Sequence, residues 1–277
     1  MSKKRKIEYP QLAAGSELVD THCHLDMAPY HDDLDDVLET ARRHGVRRVI
    51  TVGIDAESSA RAVGLAEKYP NVYATVGAHP HHAAELDEDV YRTLAGLAQH
   101  PKVVAYGEIG IDLFHNFSPP DVQREHFSRQ VKLAIDLKLP VIIHDRDAHL
   151  EVMDILESAA PFPAGGVMHC FSGDRDLAAR VVALGFHISI PGVVTFKKSE
   201  ILQEAVCRIP PASLLLETDG PYLAPEPRRG RRNEPAFLLF TAARVAELKG
   251  VSLDDLAAIT TANAEKLFSL PPLGKEV

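Results

Sequence analysis

The sequence predicts an α/β fold, a closed (β/α)8 TIM barrel built as one domain. Three observations carry that reading. Eight short apolar runs alternate with stretches of helical period along the 277 residues. No linker rich in Pro, Gly or Ser divides the chain into halves. Side chains able to bind metal recur just past several of the apolar runs, where the strand ends of a barrel converge. A doubly wound open sheet is the other arrangement for such alternation, but it needs a Gly-rich phosphate loop after its first strand. Thr21-His22-Cys23-His24 stands there instead.

The elements follow in order. The first strand runs into His22, and in an extended chain Asp20, His22 and His24 share one face. Two imidazoles spaced in this way can grip one ion. Residues 32–44 carry Leu34, Val37, Leu38 and Ala41 at helical spacing and end at Gly45. Residues 46–52 read as the second strand, 56–68 as its helix and 72–76 as the third strand, after the Pro70-Asn71 turn. A His-rich loop, Gly77-Ala78-His79-Pro80-His81-His82, comes next. Residues 89–99 are helical, 103–106 form strand four, and 123–137 form a long amphipathic helix after Pro119-Pro120.

Strand five spans 141–143 with its helix at 150–159, and strand six spans 166–169 with its helix at 176–184, stopped by Gly185. Strand seven covers 186–190, a short helix 200–207, and strand eight 214–216. A long helix at 234–248 and two short closing helices at 253–259 and 262–267 complete the chain. Residues 1–16 are expected to be a flexible basic lead-in, 17–270 the barrel domain and 271–277 a tail.

Composition bounds the function. With 30 basic and 39 acidic residues the formal charge is -9, which offers no global attraction for nucleic acid or an anionic membrane. A phosphate-bearing substrate must then be held locally, by metal or by a few arginines. No apolar run approaches the roughly 20 residues of a spanning helix, and no apolar signal segment follows Lys3-Lys4-Arg5-Lys6, so no membrane attachment and a cytoplasmic location are expected. Cys23, Cys170 and Cys207 lack paired spacing and fit a reducing compartment. Alternation turns Cys23 and Cys170 away from the face used by His22 and His169, so both read as small buried hydrophobes.

Candidate ligands stand past five runs: His22 and His24, then Glu108, His144, His169 and Asp219. A barrel gathers them at one mouth, with nitrogen and oxygen enough for two divalent ions. The strings that hold these residues are recognisable. Val19 to Asp26, Gly77 to His82, Gly107-Glu108-Ile109-Gly110-Ile111-Asp112, Ile143-His144-Asp145-Arg146, His169-Cys170-Phe171-Ser172-Gly173 and Leu216 to Tyr222 with Asn233-Glu234-Pro235 strongly resemble the TatD family of metal-dependent deoxyribonucleases, a branch of the amidohydrolase superfamily. The resemblance spans about residues 18–268. Ile111 and Gly220 stand where leucine and alanine are commoner, which changes neither charge nor ligand count.

The resemblance implies a TIM barrel with a two-metal site that hydrolyses phosphodiester bonds in DNA, single-stranded or at ends, in some members as a 3'-to-5' exonuclease. It implies that His22, His24 and Asp219 bind one ion, that Glu108 bridges, and that His144 and His169 complete the second. Two close ions can lower the pKa of a shared water and stabilise the leaving oxygen. Asp219 is the expected general base. Mixed imidazole and carboxylate ligands suit Zn²⁺ or Mn²⁺, and Mg²⁺ is favoured by supply. No lysine stands among the ligands, so the carbamylated-lysine amidohydrolases are a poorer match.

Around this core, Asp20 either orients a ligand or packs in the barrel floor. His79 and His81 are expected to donate to phosphate oxygens, or one of them to cap a loop. Arg146 is placed to fork a phosphate. Asp112 either orients the nucleophile or holds an arginine. Lys197 with Lys198, and Arg231 within Arg228-Arg229-Gly230-Arg231-Arg232, are the dense positive patches expected to hold a polyanion. Phe114, Phe117 and Tyr222 are candidates for base stacking. The other reading is a two-metal hydrolase of a small ester, amide or lactone; a non-catalytic binding barrel is disfavoured by the intact ligand set. No obligate protein partner is expected.

Overall fold

The computed structural model describes residues 7–271. Eight parallel strands lie in chain order: β1 (Leu18–Cys23), β2 (Val46–Val52), β3 (Val72–Val76), β4 (Val103–Asp112), β5 (Val141–Arg146), β6 (Gly166–Met168), β7 (His187–Ile190) and β8 (Leu214–Leu216). The connecting helices are α1 (Leu34–Arg43), α2 (Ala56–Lys68), α3 (Glu88–Leu97), α4 (Pro120–Leu137), α5 (His149–Ala159), α6 (Arg175–Ala183), α7 (Glu200–Arg208) and α8 (Leu238–Lys249), followed by α9 (Leu253–Phe268). The (β/α)8 barrel read from the sequence is present. None of the described helices is long and apolar enough to cross a membrane.

β1, β3 and β4 are buried at every position, because helices cover one face of a parallel barrel and the lumen encloses the other. Val19, Ile50, Tyr73, Val104, Ile142, Val167 and Leu215, near the strand starts, pack with Ala264, Leu267 and Phe268 of α9. Helix α9 therefore plugs the end of the barrel at which the strands begin. Arg48 of β2 is buried there, with Nη2 2.6 Å from Glu17 Oε1 and 2.7 Å from Glu265 Oε1, so its charge is met twice.

Several elements differ from expectation: β5 runs on to Arg146, α8 begins at Leu238 after a 3-10 turn, and two further differences have a clear cause. The two closing helices are one, since Thr260 turns its hydroxyl back to the Leu256 carbonyl at 3.0 Å and Thr261 donates to Glu17 O, so the β-branched pair does not break the turn. Strand β4 continues past Tyr106 to Asp112, pairing Gly110 with His144 of β5. Glycine permits this approach: a Cβ at Gly110, where φ is +156°, would collide with the His144 carbonyl. Glu108 is thereby held inside the strand.

The seam between β8 and β1 is closed by irregular contacts. Asp219 N donates to His22 O at 2.9 Å, His24 N to Gly220 O at 2.7 Å, and Thr21 Oγ1 to Leu216 O at 3.0 Å. Of the lead-in expected over 1–16, Tyr9 stacks on His44 at 3.9 Å and Ala13 N donates to Asp254 Oδ1 at 2.9 Å, while most of residues 7–16 are exposed. Residues 1–6, and 272–277 of the expected tail, lie outside the described residues.

Candidate metal centre at the barrel mouth

The strand ends open into a cleft of about 630 Å³. Glu108 stands at its base, 2 % exposed, and its two oxygens face different neighbours. Oε2 is 3.3 Å from His22 Nε2 and 3.9 Å from His24 Nε2, and Asp219 Oδ1 lies 3.9 and 3.5 Å from the same two nitrogens. Oε1 is 2.6 Å from His144 Nδ1, 2.8 Å from His169 Nε2 and 3.5 Å from His79 Nε2. All six residues expected as ligands thus meet around Glu108, five of them lining the cleft and His22 buried beneath it, and His79 joins them.

Local structure aims each donor. Alternation along β1 turns His22 and His24 to one side, as the period of two requires. His24 Nδ1 is 3.2 Å from the Val52 carbonyl, which holds a proton there and leaves Nε2 as the lone-pair donor. Both nitrogens of His22 and of His169, and Nε2 of His144, are buried and make no well-aligned hydrogen bond to a described residue, although carboxylate oxygens stand near several of them. Buried orphan imidazoles are costly, and divalent cations held by mixed nitrogen and oxygen donors would satisfy them. The donor set fits such ions.

The electrostatics agree. Burial pushes the Glu108 carboxyl up, but the surrounding His169, His79 and His144 rings pull it well below the ordinary range. Burial lowers His169, yet the Glu108 and Glu217 carboxylates raise it well above the usual imidazole value. Asp219 is likewise pushed up by burial and pulled down further by His24, His169 and His22. The ionised Glu108 and Asp219 supply the negative charge that a cation cluster requires, and an ion entering here would displace the proton that they favour on His169.

The remaining expected residues divide. Asp20 touches no ligand ring: its carboxylate accepts from Thr218 N at 2.9 Å and Thr218 Oγ1 at 2.5 Å, pinning the turn that carries Asp219, and burial raises it to about 7. Asp112 holds no arginine and instead meets His81 Nε2 at 2.7 Å. Arg146 lines the cleft with its guanidinium 4.9 Å from the Phe114 ring centre. Lys197 and Arg231 are exposed but are not in the cleft lining. In the arginine loop, Arg228 lies over Tyr9, Phe237 and Phe240, and Arg232 makes two 2.7 Å bonds to Asp33. Those two side chains are engaged within the protein.

Glu217 was absent from the expected site. It is fully buried, with Oε1 3.3 Å from His169 Nδ1. Its signal lay in the same alternation, two residues before Asp219 and just past Leu214-Leu215-Leu216. His115 was missed as well; it reaches Asp112 Oδ2 at 2.8 Å.

The family model described as TatD related DNase matches residues 19–269. The chain belongs to the TatD family. It is a divalent-metal-dependent hydrolase of the amidohydrolase superfamily. The metal-dependent hydrolase YabD of Bacillus subtilis is 42 % identical over 253 residues, covering 91 % of this chain and 99 % of that protein. The TatD protein of Erwinia tasmaniensis, called a 3'-5' ssDNA/RNA exonuclease, is 39 % identical over 259 residues, covering 91 % and 100 %. The crystal structure of the TatD homologue YJJV from Escherichia coli superposes with a TM-score of 0.88 at 34 % identity, covering 92 % of this chain and 98 % of that one. These relatives match this chain over nearly the full length of the barrel.

Proposed function

We propose that this hydrolase cleaves phosphodiester bonds in DNA, acting on single strands or strand ends, with two divalent cations in the clusters on either side of Glu108. The observation that carries the reading is the division of Glu108: one oxygen faces His22 and His24, the other His144 and His169. A carboxylate so placed suits bridging two cations, whose charges it also screens from each other. His22, His24 and Asp219 would hold the first cation, and His144 and His169 the second, with His79 beside it. Two bound cations supply Lewis acidity, a lower pKa for the attacking water and charge neutralisation at phosphate. Mn²⁺ and Zn²⁺ match these donors best, and Mg²⁺ competes by abundance.

The side chains do the rest. Asp219 Oδ1 is committed to His22 and His24, so Oδ2 is the atom left to take the proton of the attacking water. Arg146 in the cleft lining presents a planar fork to a non-bridging phosphate oxygen. Around the rim, Phe114, Phe117 and Tyr222 are 58, 69 and 52 % exposed, which suits stacking of unpaired bases at about 1–3 kcal/mol each. The relative called a 3'-5' ssDNA/RNA exonuclease supports the same substrate class.

Hydrolysis of a small ester, amide or lactone is the second reading, favoured by the internal engagement of Arg228 and Arg232 in an acidic chain. The deciding experiment is a time course on 3'- and 5'-labelled single- and double-stranded DNA, beside a phosphotriester, an uncharged ester and a lactone, with Mg²⁺, Mn²⁺ and Zn²⁺ in turn. Shortening of single strands from the 3' end is expected. Turnover of the small substrates with no DNA cleavage under any ion would overturn the nuclease reading.

A further inference from the structure

Beside the two clusters lies a third convergence of donors. Asp112, the last residue of β4, is 1 % exposed, and its Oδ1 is fully used, accepting from Phe114 N at 2.9 Å and His115 N at 2.8 Å. The backbone behind it is fixed too, since Asp112 N donates to Gln123 Oε1 at 2.8 Å. Oδ2 is left facing imidazoles: His81 Nε2 at 2.7 Å, His115 Nδ1 at 2.8 Å and, further off, His144 Nε2 at 3.5 Å.

We propose that His81 Nε2, Asp112 Oδ2 and His115 Nδ1 form a third divalent-cation site at the rim of the cleft, suited to Zn²⁺ or Co²⁺ and distinct from the two clusters at Glu108. The three donor atoms lie within 4.8 Å of one another, as they must to share an ion. Two imidazoles and one carboxylate form a borderline-soft set that favours such ions over Mg²⁺ or Ca²⁺. Bonds of about 2.0–2.1 Å place neighbouring ligand atoms about 3.3 Å apart, so the His81 and His115 rings must each withdraw from the carboxylate by about half an ångström. That movement is available, because His115 is 44 % exposed and His81 25 % exposed on their side chains, while Asp112 stays fixed.

The proton balance closes without a co-reactant. In neutral rings the N–H protons that now point at Asp112 move through water to His81 Nδ1 and His115 Nε2, which make no hydrogen bond to another described residue. Each ring then offers the freed nitrogen to the ion. Phe117 buttresses the site, parallel to His115 at 5.6 Å and edge-on to His81 at 4.7 Å. Both rings line the cleft, so the ion's remaining positions face the space that substrate enters. A water or an anionic substrate oxygen would fill them. The site does not depend on that substrate being DNA.

The test is metal stoichiometry. Full-length protein stripped with a chelator is dialysed against Co²⁺, and bound metal is counted for wild type, His115→Phe and His81→Gln. His115 is a half-exposed side chain, so H115F is expected to fold; circular dichroism checks both variants. Wild type should bind one equivalent more than either variant, or bind its weakest equivalent about 100-fold more tightly, since losing even a supporting partner of a ligand costs about 10- to 100-fold. Equal stoichiometry and equal affinities in wild type and both folded variants would overturn the third site and leave the two-cation reading untouched. Fewer than two equivalents in the variants would count against that reading instead, while the difference from wild type would still decide the third site.

Discussion

Glu217 and His169 stand 3.3 Å apart, Oε1 to Nδ1, and the same oxygen accepts the Cys170 N–H at 2.6 Å. One buried carboxylate therefore fixes both the ring of His169, which faces Glu108, and the backbone of the residue after it. With Nδ1 turned to Glu217, His169 keeps Nε2 for the cation clusters. Glu217→Gln should weaken binding of the tightest Mn²⁺ or Zn²⁺ equivalents by about 10- to 100-fold, measured by calorimetric titration of metal-free protein. An unchanged affinity would reduce Glu217 to a packing group.

Asp219→Asn tests the division of roles in the first cluster. The amide oxygen still faces His22 and His24, so at least one cation should remain bound, while turnover falls about 100-fold or more with loss of the base. Bound metal and single-turnover rate are read on the same preparation. Turnover above about a tenth of wild type would move the base elsewhere.

The positive residues near the mouth should separate into two kinds. Lys197, Lys198 and Arg231 are exposed, so replacing all three with alanine should flatten the logarithmic salt slope of single-strand binding by about 0.7 for each phosphate that is no longer neutralised. Arg228→Ala and Arg232→Ala should instead lower the thermal midpoint by a few degrees, since they remove cover from Tyr9 and Phe240 and a partner from Asp33. Fluorescence anisotropy from about 20 to 200 mM salt, with thermal melts alongside, distinguishes the two. A salt slope unchanged in the triple variant would make those side chains solvated surface only.

His149 supplies a pH-dependent contact away from the clusters. Its Nδ1 is 2.7 Å from Asp145 Oδ2, and that hydrogen bond raises its pKa above the ordinary 6.5, against the effect of burial. A histidine favoured as the cation in the folded state contributes stability that is complete below the unfolded value and is lost as pH rises through the folded one. The side chain is 40 % exposed, so solvent screening keeps the gain small. NMR titration should find the His149 value lower in Asp145→Asn, with a shallower fall in stability as pH rises above the ordinary 6.5. Equal titration curves would remove the interaction.

Much of the barrel was legible because parallel strands buried on both faces leave continuous apolar runs, and because helices between them keep the 3.6 period. The convergence of the candidate ligands was legible for a related reason: Glu108, His144, His169 and Asp219 are chemically conspicuous beside such runs. What could not be read depends on approach between distant segments. Arg228 and Arg232 look like free charge until Tyr9, Phe237 and Asp33 arrive to engage them. His79 reads as a loop residue until its Nε2 comes within 3.2 Å of His144 Nδ1. Thr260-Thr261 resembles a helix break only if the i−4 hydroxyl bond is ignored.

The irregular seam has a consequence for how competence arises. Asp20 and Thr218 are 198 positions apart yet joined side chain to backbone, and His22 with His24 meets Asp219 across the same join. A growing chain acquires its first two imidazoles early and the carboxylate that completes them almost last. No fragment ending before residue 219 brings these three side chains together, however well its earlier strands have paired. An ion held by these three side chains would therefore tie the two edges of the sheet together, and hydrolysis would begin only in a molecule whose ring has already shut.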